Sequence, residues 1–126
     1  MSQKQIIYLA GIIDGEGYLG IRKRKNPGIH YVASLCITTT SIELANFLKD
    51  IVGGYCCVTP REGNRKIQYH WHFENHSKLR DLLPKIKSYL LIKNKNCQNL
   101  LNFLSIEGRN PQLREKFCQK AKELNH

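Results

Sequence analysis

The sequence predicts an α+β domain of order αββαββα, with a four-stranded, twisted antiparallel sheet and helices on one face. Three observations predict it. Ile67, Tyr69, Trp71 and Phe73 alternate with Lys66, Gln68, His70 and His72, which is the period of a half-buried strand. Ile6, Leu9, Ala10 and Ile13 recur at the spacing of one helix face. Glycine-bearing segments (Asn26-Pro27-Gly28, Gly53-Gly54, Glu62-Gly63-Asn64) separate these patterns. A chain of 126 residues is one domain, 1–126, large enough for its own core.

Taken in order, Ser2 is placed to cap a first helix that reaches Asp14, with Gly15 and Gly17 ending it in the left-handed conformation. Tyr18 to Arg24 and His30 to Thr38 form a hairpin about Asn26-Pro27-Gly28, with Tyr31, Ala33, Leu35 and Ile37 on the apolar side. Ser41 caps a helix from Ile42 to about Val52 whose core face is Leu44, Phe47, Leu48 and Ile51. Strands follow over Tyr55 to Arg61 and Ile67 to Phe73. Helices are expected over Ser77 to Tyr89, Asn94 to Ser105 and about 111–124, with 3–106 as the core of the domain.

Twenty basic residues against ten acidic ones give a formal charge of +10, the footprint of a nucleic-acid binder before that of a membrane-surface protein. No apolar run approaches the ~20 residues of a membrane span, and the N-terminus lacks a signal-peptide arrangement. The five cysteines form no C-x-x-C pair, so reduced thiols in an intracellular setting are expected. Abundant Lys, Asn and Ile fit an AT-rich genome such as that of a chloroplast or mitochondrion.

Arg22, Arg24, His30, Ser34, Thr59, Arg61, Gln68, His70 and His72 fall on the outward side of the sheet, and no acid occurs among these positions. A merely solvated face usually mixes signs, so a nucleic-acid surface is expected. A two-stranded ribbon fits the major groove, where Arg reads guanine and Gln reads adenine. Lys23, Lys25, Arg65 and Lys66, at hairpin ends, suit phosphates. His70, His72 and His76 lack a fourth ligand, so DNA contact or structure is preferred over zinc. Cys36 and Cys57 are expected on the sheet, without a base that would make either a nucleophile.

The stretch Tyr8 to Gly17, YLAGIIDGEG, organises the rest. Its helix is apolar on two sides: Ile7, Ala10, Gly11 and Asp14 line the second face, where small residues allow close helix packing. Glu16 lies at the helix C-terminus, against the negative end of the dipole. It is either a solvated acid or a ligand for a hard divalent cation.

Leu9 to Gly17 resembles the nine-residue signature of the LAGLIDADG homing endonucleases, differing at Ile12, Gly15 and Glu16. Residues 37–41, Gly53-Gly54-Tyr55 and Tyr89 to Lys95 extend the resemblance over roughly residues 5–106. It implies the homing-endonuclease fold, and a homodimer for a single motif, joined through Ile7, Ala10, Gly11 and Asp14. It implies double-stranded DNA as partner, with neither a membrane nor a small-molecule substrate. The implied metal is Mg²⁺, with Mn²⁺ or Ca²⁺ able to occupy the site, held by Glu16 and the Gly15 carbonyl. Glu16, Lys93 and Thr39 are the implied catalytic residues, with Lys95 competing for the lysine role and Asp14 structural. The implied reaction is a Mg²⁺-dependent staggered double-strand break in a long pseudo-palindromic target. An RNA maturase or a cleavage-inactive DNA-binding regulator on the same scaffold is the alternative.

Overall fold

The first helix in the computed structural model is fixed by its own capping box. The Ser2 hydroxyl accepts from the Gln5 N–H at 3.1 Å and the Gln5 side chain accepts from the Ser2 N–H at 2.8 Å. Two first-turn donors are thereby satisfied reciprocally. The structure describes residues 1–25, 27–60, 62–63 and 66–126. The expected turns at Asn26 and Asn64 therefore lie partly outside the described residues.

The elements are α1 (Gln3–Glu16), β1 (Gly17–Arg24), β2 (His30–Thr39), α2 (Ile42–Phe47), a π turn (Leu48–Val52), β3 (Tyr55–Thr59), β4 (Gln68–Phe73), α3 (His76–Lys87), α4 (Asn94–Leu104) and α5 (Pro111–Leu124). The strands run in the order β1-β2-β4-β3, each antiparallel to its neighbour. Leu19 and Ile21, Ala33, Leu35 and Ile37, and Trp71 and Phe73 turn to the helices and are buried. Leu9 and Ile13 of α1, Leu83 and Ile86 of α3 and Leu100 and Phe103 of α4 close the core over them. The predicted α+β class, strand faces and order hold, with three helices following β4.

Four details differ from the sequence reading. α1 does not end in a left-handed glycine. It runs into β1 through Gly17, whose φ of −82° and ψ of 157° are extended. Glycine is needed there for space, since a Cβ would sit 2.8 Å from the Ile13 Cα. The helix after Ser41 changes to a π turn closed by the Gly53 N–H on the Leu48 carbonyl at 2.9 Å. The extra residue rotates Ile51 outward, leaving it 45% exposed, while Leu48 stays buried. β4 begins at Gln68, so Ile67 lies outside the strand and is exposed. Strands β3 and β4, at 5 and 6 residues, are shorter than the seven-residue stretches expected.

Positive φ is required at Gly53 (110°) and Gly54 (83°), where the π turn doubles back into β3. A Cβ on Gly54 would also overlap the His72 carbonyl. The Trp71 indole N–H donates to the Gly53 carbonyl at 2.6 Å and holds this corner against β4.

α5 is fastened to the helix-side surface of the first hairpin by polar contacts. Cys118 and Ala121 are buried, the Cys118 thiol donates to the Ile21 carbonyl at 3.3 Å, and Asn125 donates to the Leu19 carbonyl at 2.9 Å. The Tyr31 hydroxyl donates to Glu115 at 2.6 Å. That bond, with Gln119 and Lys23 adding to it, holds the Glu115 carboxyl down to about 2. All five cysteines are free.

Gly17→Ala should destabilise the fold by about 1–3 kcal/mol, the usual cost of overpacking. Denaturant unfolding checks this, and a midpoint equal to that of the native chain would contradict the close-approach argument.

Candidate functional site

Asp14 organises one end of the molecule. Its carboxylate accepts from the backbone N–H groups of Leu91 at 2.7 Å, Ile92 at 3.0 Å and Lys93 at 3.0 Å. Burial pushes its pKa up, but the three donors and the Lys93 cation outweigh this and hold the carboxyl below its usual range. The N-cap residue of α4, Lys93, offers no side-chain cap. Asp14 supplies that function from a distance, as an anion at a helix N-terminus. Both oxygens are engaged within one chain, which fits the structural role expected of Asp14 at the end of α1.

Lys93 returns the contact. Its ammonium donates to the Ile13 carbonyl at 3.0 Å and to the Gly17 carbonyl. It is a cation placed at the negative end of the α1 dipole, where it is favoured. Burial lowers its pKa, and attraction to Asp14 and Glu16 offsets this only partly. Lys95 is exposed in the first turn of α4, so the structure brings Lys93, not Lys95, to the end of α1.

Glu16 is the last residue of α1 and is exposed. Gly17 pairs with Ile37, which brings Thr39, at the end of β2, level with the last turn of α1. The Thr39 hydroxyl oxygen accepts from the Ser41 N–H at 3.0 Å, beside the cap of α2, leaving its O–H and a second lone pair for other partners. Gly15 lies in the last turn of α1, where Ile13 accepts from the Gly17 N–H and the carbonyls beyond it are past the last helical donor. Glu16 and such carbonyls are hard oxygen donors, the kind Mg²⁺ prefers. They are an incomplete set: among the described residues, no three His, Cys, Asp or Glu side chains lie close enough to share a metal.

The outward sheet face agrees in register with expectation. Arg24 is opposite His30, Thr38 opposite His70, Cys36 opposite His72, and Thr59 opposite Gln68. Arg61 and Arg65 lie outside the described residues. Thr38 and His70 are 3.1 Å apart, and Cys36 and His72 3.2 Å. Burial pushes the Cys36 thiol up and the His72 imidazole down, so both are neutral near neutral pH.

Two corrections apply to this face. It does contain an acid. Glu74 continues the alternation of His70 and His72 by one step and receives bonds from Arg22 and, at 3.4 Å, Arg24. Counting that alternation past Phe73 would have found it. Ser34 is fully buried, its hydroxyl 2.9 Å from the Cys36 sulfur and 3.4 Å from Glu74, so it supports the face rather than presenting to a ligand. His76 takes the structural role preferred for it over zinc, apart from the outward face. Its Nε2 accepts from the Ala33 N–H at 3.0 Å, beyond the end of β4, and its ring packs edge-on against Phe103.

The second face of α1 is narrower than predicted. Ala10 is 0% exposed, covered by its own chain, and is core. Ile7, Tyr8 and Gly11 are exposed. Beside them runs the segment that Asp14 holds, with Leu91 90% and Ile92 73% exposed, while Tyr89 accepts from Gln3 at 3.1 Å near the other end of α1. The sequence places this stretch between two helices and within the resemblance, and does not mark it as an exposed apolar surface.

An αββαββ unit whose first helix ends in an acid beside a lysine, at the head of an open sheet with a largely basic outer side, is the architecture of the homing-endonuclease fold that the sequence resemblance implies. The LAGLIDADG endonuclease family profile matches residues 9–106, more than three quarters of the chain, and the chain belongs to that family. The homing endonuclease I-CvuI, solved with an I-CreI target in the presence of Mg, superposes with a TM-score of 0.77 at 18% identity, over 97% of this chain and 82% of that one. The archaeal intron-encoded homing endonuclease I-Vdi141I, complexed with DNA, gives 0.76 at 15% identity, over 96% and 84%. I-SmaMI, bound to uncleaved DNA with calcium ions, gives 0.63 at 25% identity, over 94% of this chain but only 41% of its own. No curated protein sequence matches the chain.

Asp14→Ala should cost about 2–4 kcal/mol, because three backbone donors lose a charged acceptor. In the native chain the Asp14 carboxyl is more acidic folded than unfolded. Its contribution is therefore present above the unfolded value near 3.8 and is lost as pH falls through the lower folded value. Unfolding of native and variant chains at pH 7 and at pH 2–3 checks this: the gap between them should narrow in acid.

Proposed function

We propose that this chain is a site-specific homing endonuclease that makes a staggered double-strand break in a long pseudo-palindromic DNA target. The observation that carries the reading is the junction of α1 with β1. There Glu16 is exposed next to a partly desolvated Lys93, at the end of an open sheet whose outward side carries Arg22, Arg24, His70 and Gln68.

The chain acts as a homodimer in this reading. Ile7 and Gly11 would pack against the same residues of a second copy, with Leu91 and Ile92 covered at the edges of the seam. Two Glu16 carboxylates then meet at the axis. Together with last-turn carbonyls and DNA phosphate oxygens they complete the donor set that one chain lacks. Mg²⁺ bound there would stabilise charge on the attacking and leaving oxygens of an in-line displacement. Lys93, held by two carbonyls, keeps a positive charge near the phosphate without adding a mobile side chain. Thr39 retains one O–H with which to orient a water. Arg22, Arg24, Gln68 and His70 lie along the groove edges of each half-site, and Lys25 and Lys66 meet phosphates.

The native chain should cleave a subset of a randomised duplex library in Mg²⁺ and none in chelator. Glu16→Gln should bind the same sequences and leave them intact, slowed at least ~1,000-fold, about the size of a lost electrostatic contact at the reacting group. DNA bound but uncut by the native chain would favour a regulator, and selective binding of structured RNA in its place a maturase. Gly11 meets nothing within 4 Å in one chain. Gly11→Ala should therefore leave the folded subunit intact yet shift sedimentation toward monomer, and an unchanged dimer would place the seam elsewhere.

A further inference from the structure

Glu74 stands where a surface for DNA has most reason to exclude a carboxylate. Its side chain is only 13% exposed, against 44% for Arg22 and 53% for Arg24. Arg22 donates to one carboxylate oxygen and Arg24 to the other at 3.4 Å. The Tyr55 hydroxyl donates at 3.2 Å and the Ser34 hydroxyl at 3.4 Å. The His72 Nδ1 lies 3.7 Å away, and Tyr55 stacks on the His72 ring. Residues of β1, β2 and β3 thus converge on the residue that follows β4.

An isolated exposed ion pair holds little. This one differs, because the acid is sunk below the cations it receives and is fixed by groups that carry no charge. Two guanidinium groups share one carboxylate, so the cluster keeps a net positive charge. A free arginine samples many rotamers and meets phosphates as readily as bases. A guanidinium carries five N–H donors in a rigid plane, so a carboxylate on one edge leaves the other edge aimed outward. Reading guanine O6 and N7 requires such a fixed fork.

We infer that Glu74 is a specificity-determining positioning residue. It holds Arg22 and Arg24 against the sheet so that their free edges read bases in preference to phosphates. The inference rests on the endonuclease reading above. Its consequence runs against intuition for a basic surface: the acid lowers affinity for DNA at large and sharpens the choice among sequences.

The test is selection from randomised duplex DNA without divalent metal, so that binding is read apart from cutting, with the native chain beside Glu74→Gln. The variant should melt as a folded protein and bind unselected DNA at least about threefold tighter at low salt. Its plot of log affinity against log salt should steepen by about one unit. Its base preference should fall about tenfold or more at the few positions that Arg22→Ala also relaxes. Adding Glu74→Gln to Arg22→Ala should change preference at those positions no further.

Native preference and native salt dependence in Glu74→Gln would overturn the proposal, as would a loss spread equally over the whole site. If Glu74→Gln does not fold, Glu74→Asp serves. It keeps the charge but is one methylene shorter and cannot hold both arginines, so preference should fall with the salt dependence unchanged. Unchanged preference there overturns the proposal. A native chain that selects no sequence at all overturns the endonuclease reading itself, and the proposal with it. Selection by the native chain with an indifferent Glu74→Gln overturns the proposal alone.

Discussion

The exchange between Asp14 and Lys93 is the constraint on which the site depends. A carboxylate near the end of α1 accepts three backbone N–H groups from the segment leading into α4, and the lysine of that segment returns two bonds to carbonyls of α1 and β1. The two contacts satisfy a helix C-terminus and a helix N-terminus at once, each with the charge its dipole favours. Their by-product is position. Lys93 cannot leave the vicinity of Glu16, and Leu91 and Ile92 are held beside the exposed stripe of α1. In the proposed reading, chemistry and subunit contact are thereby tied to one junction of the backbone.

The sheet follows from the same junction. Because α1 passes into β1 without a loop, the end of the helix fixes the start of the first strand, and pairing of Gly17 with Ile37 carries the register into β2 and β4. Gly17 makes this possible by lacking a Cβ, not by taking an unusual φ. The outward residues are therefore set at fixed distances from Glu16. A protein that cuts at one point and reads along a groove needs that relation.

Much of this was legible in the residues. Strand faces followed from alternation, since Trp71, Phe73, Leu35 and Ile37 can only be covered. The capping roles of Ser2 and Ser41 followed from their spacing to the next apolar run. The motif at Leu9 to Gly17 pointed to Glu16, and the resemblance pointed to Lys93. What was not legible is non-local or depends on a one-residue shift. The π turn that exposes Ile51 has no marker in its own sequence. Burial of Ala10 depends on which neighbours reach over α1. The choice between Lys93 and Lys95 required distances across nearly eighty residues of chain. Glu74 was overlooked because its role begins one residue beyond the strand that carries its neighbours.

In the proposed dimer the cutting centre belongs to two identical chains about an axis. The measurement that tests this most directly is the sequence of both strands' ends in DNA cleaved by the native protein. The ends should fall symmetrically about the midpoint of an inverted repeat, with the same stagger in every product. Ends scattered without regard to any repeat, or a cut confined to one strand, would contradict it.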